Sequence, residues 1–179
     1  MKRSAAKSPP LTVSRSELLR DGSDADFRRL VNGLLALSSR HEALRDGHAA
    51  RIGLAGPAYT ILITVRHLGA PVTVGGVADH MKVSTPFITA ETAKLEALGL
   101  LTKRRDPQDG RRVLLSVTPQ GEALLAALAP TQRRVNDVEF APLSARDFRT
   151  LLRLVERLVP AADDALQLQS DIAAAERAA

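Results

Sequence analysis

Apolar residues at three- and four-residue steps mark the first strong element of the chain. Phe27, Leu30, Leu34, Leu37 and Leu44 fall on one stripe of a helix that Ser23 or Asp24 can cap and that runs to about residue 51. Gly53 and Gly56–Pro57 break the pattern. Pro57 suits the first turn of a second helix over 57–68, which is nearly all apolar (Tyr59, Ile61, Leu62, Ile63, Val65, Leu68) and is predicted to bury most of its surface. Gly69 ends it. Residues 72–74 read as a short extended piece, and Thr73 can cap a short helix over 74–81 despite the weakening pair Gly75–Gly76. Only Lys82 and Val83 separate this helix from Ser84, a good N-cap for a helix over 85–98 that tolerates Pro86 in its first turn. Ile88, Thr92, Leu95 and Leu98 form its predicted buried stripe, and Gly99 terminates it. Two short helices joined by a tight turn make a helix-turn-helix pattern.

A different pattern follows. Residues 100–105 read as a strand. Asp106, Pro107, Gln108, Asp109 and Gly110 are dense in turn residues and contain the hairpin dipeptide Asp109–Gly110. Residues 111–117 return as a β-branched, leucine-rich strand. Thr118–Pro119 then reads as the N-cap and first position of a helix to about residue 139, interrupted or bent near Pro130. Ser144 and Asp147 resemble a capping box that opens a last strong helix with Phe148, Leu151, Leu152, Leu154, Val155 and Leu158. Pro160 is expected to interrupt it, with an alanine-rich tail returning to helix. Residues 1–22, polar and basic with Pro9 and Pro10, read as a flexible basic arm. The predicted fold class is mainly α with a small β-hairpin. A two-stranded hairpin is unstable alone and must lean on the helices beside it, as it does in a winged helix.

Composition narrows the function classes. The chain has 179 residues and no cysteine, which excludes a disulfide framework, a thiol redox sensor and any cysteine-based zinc site. Its 45% hydrophobic content supports a packed core, and 3% aromatics means a core of Leu, Val, Ile and Ala. The net charge of +5 is compatible with a polyanion and proves none. No apolar run approaches a membrane span and no signal-peptide pattern is visible, so no membrane association and a cytoplasmic location are expected.

Two adjacent features carry the expected chemistry. The first is the opening of the 85–98 helix, which presents Ser84, Thr85, Pro86, Thr89 and Ala90. The first residues of a recognition helix meet base edges and phosphates in the major groove of double-stranded DNA. Hydroxyls can bond either, and Pro and Ala suit a thymine methyl. No arginine is present for bidentate guanine reading. The plain alternative is that Ser84 and Thr85 only cap a solvated helix. The second feature is the hairpin tip. Lys103, Arg104 and Arg105 precede it, Arg111 and Arg112 follow it, and only Asp106 and Asp109 oppose them. A narrow tip of this kind can enter a minor groove, whose negative potential attracts guanidinium. Asp109, two residues before Arg111, is placed to hold the Arg111 side chain. A merely solvated charge run is the alternative, weakened here by the helix-turn-helix immediately upstream.

At these residues the sequence resembles the MarR family of transcriptional regulators. The likeness spans about 27–159 and is strongest over Leu95–Glu96–Ala97–Leu98–Gly99–Leu100–Leu101–Thr102–Lys103–Arg104, Asp106–Pro107–Gln108–Asp109–Gly110–Arg111–Arg112 and Val117–Thr118–Pro119–Gln120–Gly121. The family's wing signature, Asp-x-Arg and then a strand ending in an apolar residue and Thr, falls on Asp109, Arg111, Val117 and Thr118. One departure stands out: Ala90–Glu91 occupies the middle of the recognition helix, where the family often has a basic residue. The resemblance implies a homodimer in which the first and the last two helices interlock, a pseudo-palindromic operator and repression. It implies the organisation 23–56 (N-terminal dimerisation helix), 57–118 (winged helix-turn-helix lobe) and 119–179 (C-terminal dimerisation helices).

The resemblance also implies a small aromatic carboxylate effector, bound between the dimer helices and the DNA-binding lobe. Such a site needs an apolar slot with a cation for the carboxylate. His41 and Arg45 on the first helix and Tyr59, Ile63, Arg66 and His67 on the second are the candidates; core packing of Tyr59 and surface placement of the histidines are the alternatives. No other cofactor is expected. His41 and His48 share a helix face near Glu42, but seven residues apart they lack the four-residue spacing of a helical ligand pair, so no metal is expected. No Ser-His-Asp set, paired carboxylates or phosphate-binding glycine loop stands out, and no enzyme is expected. Two other readings remain: a constitutive architectural DNA-binding protein without effector, and a protein-interaction module that uses a winged helix without DNA.

Overall fold

The computed structural model describes residues 9–69 and 71–178. Its elements run α1 (Ala25–Arg51), α2 (Gly56–Leu68), β1 (Val72–Thr73), α3 (Val74–Met81), α4 (Thr85–Ala97), β2 (Leu101–Arg105), β3 (Val113–Val117), α5 (Pro119–Glu139) and α6 (Ala145–Ala178). A 3-10 turn, Ser16–Leu18, precedes them. The three strands form one antiparallel sheet in the order β1-β3-β2. β3 pairs with β2 through Leu101↔Val117 to Arg105↔Val113, and with β1 through Val72↔Leu115 and Thr73↔Leu114. The chain divides into two units, the first ending at Pro130 and the second covering Thr131–Ala179.

The core of the first unit forms around α2. Ala58, Tyr59, Ile61, Leu62 and Val65 are buried and meet Val77 and Ala78 of α3, Ile88 and Leu95 of α4, Leu101 and Leu115 of the sheet, and Leu125 and Leu128 of α5. The nearly continuous apolar run of α2 is thus a central helix surrounded on most sides. The helix-turn-helix caps as its residues require. Thr73 Oγ1 accepts the N–H of Gly76 at 2.9 Å, and Ser84 Oγ accepts that of Phe87 at 3.4 Å. Between them Lys82 takes a left-handed conformation (φ 53°), and the N–H of Val83 returns to the carbonyl of Ala78.

The two ends of the hairpin are clamped together. Thr118 Oγ1 donates to the carbonyl of Gly99 at 2.6 Å and accepts the N–H of Gly121 at 3.0 Å. Gln120 Nε2 donates to the carbonyl of Leu98 at 3.3 Å. A Cβ on Gly121 would stand 2.5 Å from the Leu100 carbonyl oxygen, so only glycine lets α5 begin this close to β2. Gly99 has φ 71°, the left-handed region that glycine occupies without strain.

Several expectations need correction. The stripe Leu30, Leu34 and Leu37 of α1 is exposed, Leu30 to 56%, as a helix left for a partner would be, and α1 buries His48 and Ala49. Leu98 is exposed because α4 has ended before it. Pro130 and Pro160 lie inside α5 and α6, which continue through both, and α6 has no buried residue. Of the expected arm, residues 1–8 lie outside the described residues. Residues 10–24 fold onto the start of α1. The Asp24 carboxylate, on a residue only 5% exposed, accepts the Thr12 N–H at 2.8 Å, the Thr12 hydroxyl at 2.7 Å and Arg28 Nε at 3.0 Å. Arg28 Nη2 also donates to the Pro10 carbonyl. These bonds hold the Asp24 carboxyl far below the usual carboxylate range, with the Arg28 hydrogen bond contributing most.

Candidate nucleic-acid interface

Recognition helix and wing meet at one surface. A concavity of about 640 Å³ is lined by Thr73, Gly75, Gly76 and Asp79 around α3, by Thr85 and Thr89 of α4, and by Lys103, Arg111 and Arg112 of the hairpin. Ser84, Thr85, Pro86, Thr89 and Ala90 are all exposed. Ile88, Thr92 and Leu95 point the other way, into the core, so helical periodicity leaves the polar face free. The acidic residue of the sequence departure does not enter that face. Glu91 is 9% exposed and is held by Lys94 Nζ at 2.5 Å. Thr89 is less available than its exposure suggests, because its hydroxyl donates to the Thr85 carbonyl.

The wing cations divide into two kinds. Alternation along β2 turns Leu101 and Lys103 inward and Thr102 and Arg104 outward. Lys103, its side chain 18% exposed, sends Nζ to the carbonyl of Thr89 (3.4 Å) and stands 3.9 Å from the carboxylate of Glu96. It ties the wing to α4. Arg104 and Arg105 are exposed, and among the described residues neither guanidinium has a hydrogen-bond or ion-pair partner.

The tip is built by carboxylates. Asp106 Oδ1 accepts the N–H of Gln108, and Asp109 Oδ1 that of Arg111, two local turns typical of Asp. The Arg112 N–H then closes a turn on the Asp109 carbonyl at 2.8 Å. This corrects two expectations. Gly110 has no positive φ, so the dipeptide Asp109–Gly110 is not a two-residue hairpin turn; it sits in a longer tip spanning 106–112, and β3 starts at Val113. Asp109 also does not hold the Arg111 side chain. Its Oδ2 pairs with Arg112 Nε at 3.2 Å, and the Arg111 guanidinium has no partner among the described residues.

The expected effector residues do not form one pocket. His41 is exposed, Ile63 packs against the core and Arg66 pairs with Glu122 of α5 at 3.1 Å. His67 lies against His80 with ring centroids 6.2 Å apart. Tyr59 is 1% exposed, meets His48 edge-on with centroids 6.4 Å apart, and has its hydroxyl pKa raised by burial, an effect the nearby Arg45 charge offsets in part. Arg45 alone lines a cavity, of about 200 Å³, with Glu42 and Asp46 of α1, Pro57 and Thr60 of α2, Met81, Val83 and Phe87. Arg45 Nη2 bonds the Thr60 hydroxyl, while its Nε is buried without a hydrogen-bond partner. Met81, Val83 and Phe87 were missed in the sequence because they read as part of the helix-turn-helix. Only the fold swings the turn between α3 and α4 beside α1. Among the described residues, no group of three or more His, Asp or Glu could hold a metal ion, and no helix is long and apolar enough to cross a membrane.

Comparison with known proteins agrees with this geometry. Residues 52–112 match the model of the MarR family. The chain is 25% identical to the HTH-type transcriptional repressor NicR of Pseudomonas putida over 146 residues, 81% of this chain and 92% of that one. It resembles the solved transcriptional regulator PcaV of Streptomyces coelicolor, crystallised with its natural ligand, at 29% identity and a TM-score of 0.58, covering 72% of this chain and 90% of that one. The fold is also that of BpsR of Bordetella bronchiseptica (21% identity, TM-score 0.59, 72% and 91% covered), whose DNA binding is regulated by 6-hydroxynicotinic acid. These relatives are regulators rather than enzymes. The chain belongs to the MarR family of winged-helix, DNA-binding transcriptional regulators.

Proposed function

We propose that the protein is a homodimeric repressor that binds a pseudo-palindromic operator and is released by a small aromatic acid. One observation carries the DNA reading: the free face of α4 and the wing cations border the same concavity. In this reading Ser84, Thr85, Pro86, Thr89 and Ala90 enter the major groove. Arg111, with Arg104 and Arg112 beside it, lies on the adjacent minor groove or its phosphates, and Lys103 and Asp109 shape the wing. With few long side chains on α4, much of the specificity comes from DNA shape and bound water. Dimerisation through 23–56 and 119–179 is supported by the exposed apolar stripes of α1 and α6, which water alone would not favour.

The effector reading rests on Arg45. A buried guanidinium nitrogen without a partner is costly, and a carboxylate would satisfy it. Glu42 and Asp46 on the same cavity would accept an O–H or N–H from the ring, which favours hydroxylated or pyridine carboxylates. Phe87 and Val83 line the cavity within a few residues of the DNA-facing side of α4, so occupancy would bias the recognition helix. The small size of the cavity favours the alternative of a constitutive, architectural binder without effector. Footprinting distinguishes the two: a discrete palindrome that 6-hydroxynicotinic acid or a related acid clears supports the repressor, whereas uniform coverage of DNA refutes it.

A further inference from the structure

The outer line of the recognition helix carries no hydrogen-bonding side chain. Pro86, Ala90, Ala93 and Ala97 follow one another at four-, three- and four-residue steps, so they share one line of α4, and all four are exposed. Ile88, Thr92 and Leu95 form the opposite, buried line. The polar groups that flank the outer line are engaged with the protein itself. Ser84 Oγ accepts the N–H of Phe87 at 3.4 Å, and the Thr89 hydroxyl donates to the Thr85 carbonyl at 2.9 Å. Lys94, the one cation in the sequence of α4, holds the Glu91 carboxylate at 2.5 Å. From Pro86 onward, α4 therefore turns outward a row of methyl and other C–H groups.

We infer that α4 reads base identity in the major groove through the 5-methyl group of thymine, with Pro86 and Ala90 as the residues that pack on it. This rests on the DNA reading above and adds to it the feature of the base that is recognised. The thymine methyl is the one methyl group that the bases present in that groove, where guanine, cytosine and adenine present hydrogen-bonding groups. Set against C–H groups, those polar edges lose their water and gain no partner, which costs free energy. A methyl set against Pro86 or Ala90 gains from burial instead. Both effects act in the same direction, so the helix selects thymine and disfavours G·C pairs without a guanidinium or an amide. Pro86 and Ala90 stand one turn apart near the start of α4, the part of a recognition helix that reaches base edges. The wing arginines add attraction to phosphate that carries no sequence information.

The test uses the full-length protein and the operator half-sites that footprinting defines. Each thymine of a half-site is replaced in turn by uracil, which keeps base pairing and charge and removes the methyl alone. Binding is measured by fluorescence anisotropy at several salt concentrations. At the thymines that α4 meets, the uracil duplex should bind about fourfold more weakly, the worth of one buried methyl group. The salt slope should not change, because no charge is altered. Ala90→Gly, Ala90→Ser and Pro86→Ser should each shrink the difference between thymine and uracil at the base that the altered residue contacts. Circular dichroism checks that they fold, and the serine variant of Ala90 keeps the test sound if glycine loosens the helix. A retained footprint with equal affinity for every uracil duplex overturns the methyl reading and leaves operator binding standing. A uracil effect undiminished in all three variants overturns it too, because the methyl then acts through DNA shape alone. Absence of any discrete footprint overturns the operator reading, and this inference with it.

Discussion

The carboxylate of Asp109 stands 3.2 Å from Nε of Arg112, not on Arg111, which follows it in the wing signature. The same carboxylate takes the backbone N–H of Arg111 at 3.1 Å. One side chain thus fixes the tip backbone and neutralises one arginine while leaving the next one uncommitted. Among the described residues Arg111, like Arg104 and Arg105, is a wing cation whose guanidinium has no internal partner.

Replacing Arg111 with alanine should weaken operator binding and lower the slope of log K against log salt by about one counterion. Lys103→Gln should also weaken binding, because it unties the wing from α4, but should leave the slope unchanged, since that ammonium already bonds Thr89. Equal slope changes for the two variants would mean that Lys103 contacts DNA directly.

The clamp between Thr118 and Gly99 predicts a stability effect with no change at the DNA face. Thr118→Val removes both the bond to the Gly99 carbonyl and the cap on Gly121. A loss of about 1–3 kcal/mol is expected in urea unfolding. Gly121→Ala, which presses a methyl onto the Leu100 carbonyl, should cost about as much through overpacking.

Acid stability depends on Asp24. Its folded pKa lies below its ordinary value of 3.8. A lowered carboxylate pKa means that the stabilisation is complete above the unfolded value and is lost as pH falls towards the folded one. Melting temperature should therefore fall more steeply below about pH 4 in the wild type than in Asp24→Asn. At neutral pH the variant should already melt lower, having lost the charged partner of Arg28. Parallel pH profiles for the two proteins would exclude this role.

If Arg45 holds an effector carboxylate, Arg45→Met should abolish release from DNA by aromatic acids and leave operator affinity in their absence close to wild type. Thermal shift with 6-hydroxynicotinic acid reads the same site, because a ligand of the native state raises its melting temperature by mass action. An undiminished response in Arg45→Met would move the effector site elsewhere.

Local signals made much of the lobe legible. The caps at Thr73 and Ser84, the stop at Gly99, and the pairing of Ser144 with Asp147 each depend on residues a few positions apart. Short-range hydrogen bonding decides them wherever the chain goes. Basic residues clustered around a turn predicted the wing. The prolines misled, because an exposed helix can continue through a proline when solvent satisfies the freed carbonyl, as α5 and α6 do.

The sequence by itself determined which faces are apolar, where the helices cap, and that helix-turn-helix and basic hairpin are neighbours. Periodicity and capping chemistry are written into adjacent residues. Only the tertiary structure decided what each apolar face meets: core around α2, and exposure for Leu30, Leu34 and Leu37. It also decided which charges are spent internally. Lys103, Glu91 and Asp109 look as available in the sequence as Arg104 and Arg111, yet they bond Thr89, Lys94 and Arg112. The reason is distance: two of these contacts depend on spacings of three residues and on rotamer choice, and the third joins residues fourteen apart that only the packing of β2 against α4 brings together.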